Sequence, residues 1–251
     1  MKAQDNSTMQ LSASKIAPFN SACRRKAAHH FVNPMDHSFW LQRWRDNMIG
    51  FHRDEVNRHL QQIWPEFGVA EGASVFVPMC GKSVDMLWLA RRHPVLGVEL
   101  SPRAVTDFFA ENNLVGERQQ ACGFQVTRGD NITLYCGDYF DLTPDTTQAI
   151  AAVYDRASLI AVPPAMQALY VEKLASLTPE HVPVLLVSLV YPQQQMDGPP
   201  FSVDADDVQR LFSAGWRIEP LLQQDILDAE PHFRKRGLTS LEEHVYRLEK
   251  R

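Results

Sequence analysis

The segment from Ser74 to Ser83, SVFVPMCGKS, constrains the fold of this chain more than any other. In it, an apolar run of strand length is followed by a turn at Gly81 and by a helical pattern from Ser83. The next apolar run ends in a carboxylate, Glu99. In nucleotide-binding α/β folds, an acid at the tip of the second strand accepts hydrogen bonds from ribose hydroxyls, and the first loop lets the backbone approach the ligand. The segment therefore predicts an α/β fold with a ligand site beside these two strands.

Two phosphate-binding motifs are excluded in the same segment. Gly81-Lys82-Ser83 resembles the end of a Walker loop, but that loop requires a glycine where this chain has Phe76. The dinucleotide fingerprint requires three spaced glycines, and Gly81 stands alone. A single glycine suits a ligand that carries a ribose and no phosphates, and S-adenosylmethionine is the commonest such ligand. A strand-turn-helix unit that binds nothing remains the alternative at this point.

Composition favours a small-molecule ligand over a nucleic acid. The 251-residue chain has a net charge of −5, and residues 1–34 contribute +4, which leaves −9 for the remainder. A domain this acidic lacks the basic surface that neutralises phosphates. No apolar run approaches the roughly 18 residues of a membrane helix, and the four cysteines form no metal-site spacing. We expect a cytoplasmic monomer with reduced thiols, no metal, and no nucleic-acid or membrane partner.

Residues 1–34 differ from the rest of the chain. They show neither helical nor strand periodicity and are rich in Ser, Ala, Asn and Lys. They contain no apolar core of secretory-signal length, although their basic, acid-poor composition is loosely that of a transit peptide. We interpret them as a flexible tail of upstream or non-native sequence, because Met35 would make a natural start. Residues 35–251 are then predicted to form one domain.

The remaining pattern predicts seven strands that alternate with helices. The strands lie near residues 74–77, 95–99, 132–136, 149–155, 184–190, 216–222 and 243–248. Residues 115–129 are interpreted as a loop or a small hairpin. Alternation of this kind is typical of a mostly parallel sheet with helices on both faces.

Charged and aromatic side chains follow the third and fourth of these strands. Asp138-Tyr139 follow the third strand, and Asp155-Arg156 end the fourth. Because the carboxyl ends of parallel strands meet at one edge, we expect these side chains near Glu99. An Asx turn at Asp138 and a surface ion pair at Asp155-Arg156 are the alternative interpretations.

An aromatic segment precedes the first strand. Trp40 and Trp44 fall at helical spacing, and a loop with Gly50-Phe51-His52 follows. Aromatic residues at this spacing usually pack a core, but an aromatic ring and an imidazole beside a hinge glycine also suit a lid. We hypothesise that this segment is an N-terminal helical lid over the ligand site.

Seven short fragments, taken in order, resemble the thiopurine S-methyltransferase family. They are Phe39-Trp40, Trp44, Gly50-Phe51-His52, Val77-Pro-Met-Cys-Gly-Lys-Ser83, Gly97-Val-Glu99, Tyr154-Asp-Arg-Ala157 and Gly198-Pro-Pro-Phe-Ser-Val203. The resemblance covers about residues 36 to 249. It implies a Rossmann-like class I methyltransferase fold with a seven-stranded, mostly parallel sheet containing one antiparallel strand. It also implies methyl transfer from S-adenosylmethionine, by in-line displacement, to the sulfur, selenium or tellurium of small acceptors such as thiopurines.

The resemblance implies roles for individual residues. Those placed at the cofactor are Trp44, Met79, Gly81, Glu99, Asp138, Tyr139 and Arg156. Glu99 is implied to contact the ribose and Asp138-Tyr139 the adenine. Phe51 and His52 are implied to face the acceptor, and Arg156 serves both sides. No residue is assigned as an acid or base, because orientation dominates this chemistry.

The match to the family is poorer around Glu230-Pro-His-Phe233, where the resemblance implies a substrate-facing basic residue in animal members. Two other functions remain open from the sequence. The protein is alternatively an S-adenosylmethionine-binding protein without activity, or a nicotinamide-dependent oxidoreductase on a related sheet. A turnover assay distinguishes the inactive binding protein from a methyltransferase. Measurement of which cofactor binds distinguishes the oxidoreductase from a methyltransferase.

Overall fold

The computed structural model describes residues 37–251, so the predictions for residues 1–34 lie outside the described residues. The strands are β1 (Ser74–Val77), β2 (Val95–Glu99), β3 (Glu117–Ala121), β4 (Phe124–Gly129), β5 (Ile132–Cys136), β6 (Ile150–Arg156), β7 (Pro183–Val190), β8 (Trp216–Asp225) and β9 (Glu242–Lys250). The α-helices are α1 (His37–Arg45), α2 (Arg58–Ile63), α3 (Asp85–Ala90), α4 (Pro102–Glu111), α5 (Pro144–Thr147), α6 (Pro164–Leu177), α7 (Ala205–Phe212) and α8 (Pro231–Lys235).

The nine strands of the described chain form one sheet in the order β3-β4-β5-β2-β1-β6-β7-β9-β8. The central strands β5, β2, β1, β6 and β7 are parallel. β9 runs antiparallel between β7 and β8. The predicted α/β class, with its mostly parallel sheet, is confirmed.

The predicted count of seven strands is wrong, because β3 and β4 form a hairpin that extends the sheet. β4 pairs antiparallel with β5, and β3 pairs antiparallel with β4. β3 reads ERQQA, and all its residues except the last are exposed. Its side chains therefore lack the apolar alternation from which a strand is predicted. The pairing of β3 is decided by the backbone hydrogen bonds that the free edge of β4 offers, and β4 itself pairs with β5.

Helices cover both faces of the sheet, as predicted. Along β1, Phe76 packs into a core with residues of α6 and α7, whereas Val75 and Val77 pack into a second core with residues of α2, α3 and α4. This division follows from the period of two in strand side chains. A third, smaller cluster surrounds Phe233 of α8. No helix within residues 37–251 is long and apolar enough to cross a membrane.

Parallel pairing places the loops after β1, β2, β5 and β6 at one edge of the sheet. Glu99, the last residue of β2, lies opposite Cys136, the last residue of β5. Arg156, the last residue of β6, lies opposite Val187 of β7. Ligands of open α/β sheets bind at this edge. The two cores thus hold these strand ends in a fixed relation to one another.

Candidate functional site

A cavity of about 420 Å³ opens at the carboxyl edge of the parallel strands. All the residues predicted for the site line it, namely Trp44, Phe51, His52, Met79, Gly81, Glu99, Asp138, Tyr139 and Arg156. This volume lies within the range of about 300–1,000 Å³ that is usual for small-molecule sites. The structure therefore brings together residues that span more than a hundred positions of the chain.

The loop after β1 presents backbone to the cavity. Gly81 has φ +54°, in the left-handed region that favours glycine. Its N–H donates to Oε2 of Glu99 at 2.9 Å. A Cβ at position 81 would lie 3.4 Å from the indole of Trp44, which is an ordinary contact distance. The positive φ of the turn is therefore the reason for the glycine identified in the sequence.

Glu99 is 7% exposed and joins two loops. Its Oε2 accepts from Gly81, and its Oε1 accepts from the N–H of Ser101 at 2.7 Å. Burial raises the pKa of Glu99 to about 7, and the hydrogen bonds from Ser101, Gly81 and Leu100 oppose this rise. The site consequently contains a carboxyl group that titrates near neutral pH.

Asp138 and Tyr139 follow β5 on the other side of Glu99. Oδ1 of Asp138 accepts from the N–H of Phe140 at 2.9 Å, so the Asx-turn interpretation describes part of its role. Oδ2 lies 3.0 Å from Nε2 of His37 in α1. Tyr139 is buried and stacks on Tyr170, with ring centroids 5.0 Å apart. Tyr139 therefore closes the cavity wall from the core side.

The aromatic segment packs over the cavity. Phe51 contacts the rings of Trp40 and Trp44 edge to face, with centroid distances of 5.6 and 5.5 Å. Trp44 is 4% exposed but belongs to none of the three hydrophobic clusters of the described residues. The rings thus join α1 to the loop at Phe51 and to the turn at Gly81.

His52 and Arg156 also line the cavity. Nε2 of His52 lies 3.3 Å from Oδ1 of Asp54. Burial, followed by the charge of Lys82, lowers the pKa of His52, so its imidazole is neutral at pH 7. The predicted alternative of a surface ion pair between Asp155 and Arg156 is wrong. Asp155 is buried and accepts from the hydroxyl of Tyr170 at 2.6 Å instead.

Several lining residues were not assigned from the sequence. Arg53 forms an ion pair with Glu230 at 2.5 Å and so connects the loop after Phe51 to the start of α8. His232 lines the cavity as well, which places the poorly matching segment at the site. Glu243 reaches the cavity because β9 is antiparallel, so its first residues lie at the carboxyl edge of the other strands. The sequence could have indicated Glu243, because a strand that is antiparallel to the others begins at the edge where the parallel strands end.

The fold and its cavity define an α/β protein of the class I methyltransferase type. A solved S-adenosylmethionine-dependent methyltransferase from Anabaena variabilis has a TM-score of 0.58 at 15% identity, over 86% of this chain and 95% of that one. The 1,6-didemethyltoxoflavin-N1-methyltransferase of Burkholderia thailandensis has a TM-score of 0.58 at 16% identity, over 94% and 95%. At such identities the likeness establishes the fold.

Residues 35–251 match the profile of the thiopurine S-methyltransferase family. Two similar relatives are the thiopurine S-methyltransferases of Pseudomonas fluorescens and Methylococcus capsulatus. The first is 50% identical over 85% of this chain and 99% of its own, and the second is 47% identical over 85% and 97%. The chain belongs to the thiopurine S-methyltransferase family. The resemblance drawn from seven short fragments is thereby confirmed.

Proposed function

We propose that this protein transfers the methyl group of S-adenosylmethionine to the sulfur of small aromatic or heterocyclic thiols such as thiopurines. One observation carries the proposal. In a chain of this family, the carboxylate of Glu99 and the backbone of Gly81 meet at a single cavity at the carboxyl edge. Small selenium and tellurium compounds belong to the same acceptor class, because their nucleophilic atoms are soft like sulfur.

The residues beside Glu99 suit a ligand that carries a ribose and no phosphates. Oε2 of Glu99 accepts from the N–H of Gly81 and Oε1 accepts from the N–H of Ser101, and the carboxylate retains capacity to accept from a ribose hydroxyl. Lys82, the residue that would contact phosphate in a Walker loop, instead donates to Glu111 at 2.7 and 2.6 Å. The set of donors and acceptors therefore fits S-adenosylmethionine.

We assign the cofactor contacts on this basis. Glu99 binds the ribose, and Asp138 and Tyr139 contact the adenine. The remainder of the cofactor is surrounded by Trp44, Met79, Gly81 and Arg156. Oδ2 of Asp138 already has a polar neighbour in His37, so the adenine amino group would share or replace that contact.

When bound, S-adenosylmethionine supplies an electrophilic methyl group on a sulfonium. The chain's own task is to hold the acceptor in line with that group and to exclude water. The aromatic faces of Trp44 and Phe51 attract a sulfonium through cation-π interaction. Phe51, His52 and Arg156 face the acceptor in this proposal. A thiol ionises near neutral pH and releases its proton to solvent, so no dedicated base is required.

We further propose that residues 35–251 act as a single domain. The acceptor is a diffusible small molecule, and the domain works as a monomer in the cytoplasm. The acidic charge of this part of the chain, −9, supports a small-molecule partner over a nucleic acid.

Transfer from labelled S-adenosylmethionine to 6-mercaptopurine, thiophenols and selenite-derived compounds tests the proposed function. We expect labelled methyl product with the intact chain and its loss in Glu99→Ala. Cofactor binding measured by calorimetry accompanies the assay. Binding without transfer to any acceptor would favour the non-catalytic alternative, and absence of binding would refute the proposal.

A further inference from the structure

Asp85, the first residue of α3, is fully buried and does not line the cavity. Residues from two other elements, the N-terminus of α2 and β6, meet at its carboxylate. Oδ1 accepts from the N–H of Asn57, the N-cap of α2, at 2.7 Å. Oδ2 accepts from the hydroxyl of Tyr154 at 2.9 Å and lies 3.7 Å from Nη1 of Arg156. The sequence pattern of α3 does not predict a buried carboxylate, because Asp85 occupies a position on the buried face of the helix, where an apolar residue is expected.

Burial of a carboxylate costs free energy unless hydrogen bonds and an opposite charge compensate for it. Asn57 and Tyr154 supply the hydrogen bonds, and Arg156 supplies the positive charge. The side chain of Arg156 is 18% exposed and lines the cavity. Asp85 therefore contacts Arg156 from the protein interior, on the side of the guanidinium away from the cavity.

The contact between Asp85 and Arg156 is an ion pair and is too long for a hydrogen bond. Within the described chain, the guanidinium of Arg156 makes no other ion pair within 4.0 Å. The N–H groups of Arg156 thus remain able to donate into the cavity. The negative charge of Asp85, on the opposite side of the guanidinium, attracts and thereby restrains the side chain. Without such a restraint, the rotatable bonds of an arginine side chain carry about 2 kcal/mol of rotamer entropy.

We propose that Asp85 is a positioning residue that holds the guanidinium of Arg156 toward the acceptor end of the cavity. The kinetic part of this inference rests on the proposed methyl transfer, but the ordering of Arg156 does not. Asp85 touches neither the cavity nor the reacting atoms, so its effect on activity passes through Arg156. The hydrogen bonds to Asn57 and Tyr154 in turn fix Asp85 to α2 and β6.

The direct test is the mobility of the Arg156 side chain. In nitrogen-15-labelled protein, the Nε–Hε signal of Arg156 is assigned by its absence in Arg156→Ala, and its relaxation is measured. We expect an ordered guanidinium in the wild-type chain and a mobile one in Asp85→Asn. An equally ordered Arg156 in Asp85→Asn would overturn the proposal, whether or not methyl transfer has been detected.

Tyr154→Phe is the matched control. It removes one hydrogen bond from the same carboxylate but keeps the charge that faces Arg156, so we expect Arg156 to stay ordered. An asparagine at position 85 keeps one oxygen for the Asn57 N–H, and its NH2 group faces the Tyr154 hydroxyl, which must then accept instead of donate. If this rearrangement destabilises the fold, the double variant Asp85→Asn/Tyr154→Phe removes that hydroxyl. Comparison of that double variant with Tyr154→Phe isolates the charge of Asp85 if Asp85→Asn alone does not fold.

The kinetic test uses an acceptor that the wild-type chain methylates. We expect Asp85→Asn to lower kcat/KM for that acceptor about tenfold, since displacement of a positioning group by about 1 Å costs up to about a hundredfold. We expect no further loss when Asp85→Asn is added to Arg156→Ala. Independent, multiplying losses in the double variant would show that Asp85 acts by another route and would overturn the proposal. A wild-type chain without turnover would contradict the proposed function and leave the relaxation result to decide the ordering.

Discussion

At the scale of single residues, Glu99 combines burial with hydrogen bonding to two loops. Its folded pKa of about 7 lies well above its ordinary value of 4.5, because burial outweighs the backbone N–H groups that favour the charged form. A ribose hydroxyl that donates to this carboxylate favours the ionised form, because a hydrogen bond to a charged acceptor is the stronger one. Protonation of Glu99 and binding of the proposed cofactor are thus opposed to each other.

We predict that affinity for S-adenosylmethionine rises with pH as Glu99 ionises. With a pKa of about 7, the competent ionised form increases about tenfold between pH 6 and pH 8, and the dissociation constant falls by the same factor. Isothermal titration calorimetry across this range measures the change. In Glu99→Gln, binding is weaker and this part of the pH dependence disappears. A Gln variant with the wild-type pH profile would contradict the assignment of the titrating group.

At the scale of elements, α1 and the loop at Phe51 differ from the rest of the fold in what they pack against. Trp44 contacts Phe51 and the turn at Gly81 but belongs to neither main core. Trp64, equally buried at 4% exposure, belongs to the core beneath α2 to α4. The two tryptophans therefore form a matched pair, one over the cavity and one in the core.

We predict that Trp44→Ala weakens binding of S-adenosylmethionine at least about tenfold and lowers the free energy of unfolding by less than about 2 kcal/mol. This result is expected if α1 and the loop at Phe51 form the hypothesised lid, because a lid closes on ligand and contributes little to the global core. Trp64→Ala should lower the free energy of unfolding by about 3–5 kcal/mol and leave the affinity of the folded fraction near that of the intact chain. Urea unfolding and calorimetry supply both quantities. Normal binding and turnover in Trp44→Ala would remove the case for a lid.

At the scale of the whole molecule, a second buried acid makes stability depend on pH. Asp155 is 1% exposed, and burial raises its pKa to about 6 from an ordinary 3.8, although Tyr170 and Leu159 donate to it. Its folded pKa is the higher one, so the folded state binds the proton more tightly. The contribution of Asp155 to the free energy of unfolding is present below about pH 4 and is lost as pH rises through about 6.

We predict that Asp155→Asn reports this loss directly. The difference in the free energy of unfolding between the wild-type chain and Asp155→Asn should shrink by roughly 2–3 kcal/mol from pH 4 to pH 8. Urea unfolding at unit steps of pH measures it. The variant comparison is necessary because buried histidines with lowered pKa, such as His93, contribute in the opposite sense. A difference that does not vary with pH would contradict the raised pKa.

We also predict that a chain beginning at Met35 behaves as the full chain does. The family profile starts at residue 35, and the relative from Pseudomonas fluorescens aligns over 99% of its length with 215 residues of this chain. Thermal unfolding should give midpoints within about 2 °C of each other, since no part of the shared domain is removed. A midpoint lowered by more than about 4 °C would indicate that residues 1–34 contribute to the fold.

Several features of the site follow from local sequence. Gly81 was identified from one strand-turn-helix pattern. The start of α4 has equally local causes, because Ser101 accepts from the N–H of Ala104 as N-cap and Pro102 occupies the first helical position. The residues at the ends of β2, β5 and β6 were expected to meet because parallel strands share one carboxyl edge. Such inferences succeed because turns, caps and strand ends depend on residues only a few positions apart.

Other features arise from contacts between distant parts of the chain. The pairing of β3 with β4 adds an edge strand whose polar sequence carries no apolar period. The carboxylate of Asp85 joins residues 28 and 69 positions away, and the ion pair of Arg53 with Glu230 spans 177 positions. No pattern within a single helix or strand specifies partners at such distances.

The sequence by itself determined the α/β class and the strand ends that meet at the cavity, since periodicity, turn chemistry and strand polarity are local properties. Its resemblance to the thiopurine S-methyltransferase family implied the other predicted residues of the site. The tertiary structure alone decided which charges are buried and what compensates them. It set the neutral-range pKa of Glu99, the burial of Asp155 and the place of Asp85 behind Arg156. The physical reason is that burial and electrostatic pairing depend on the whole surrounding fold, whose members are far apart in sequence.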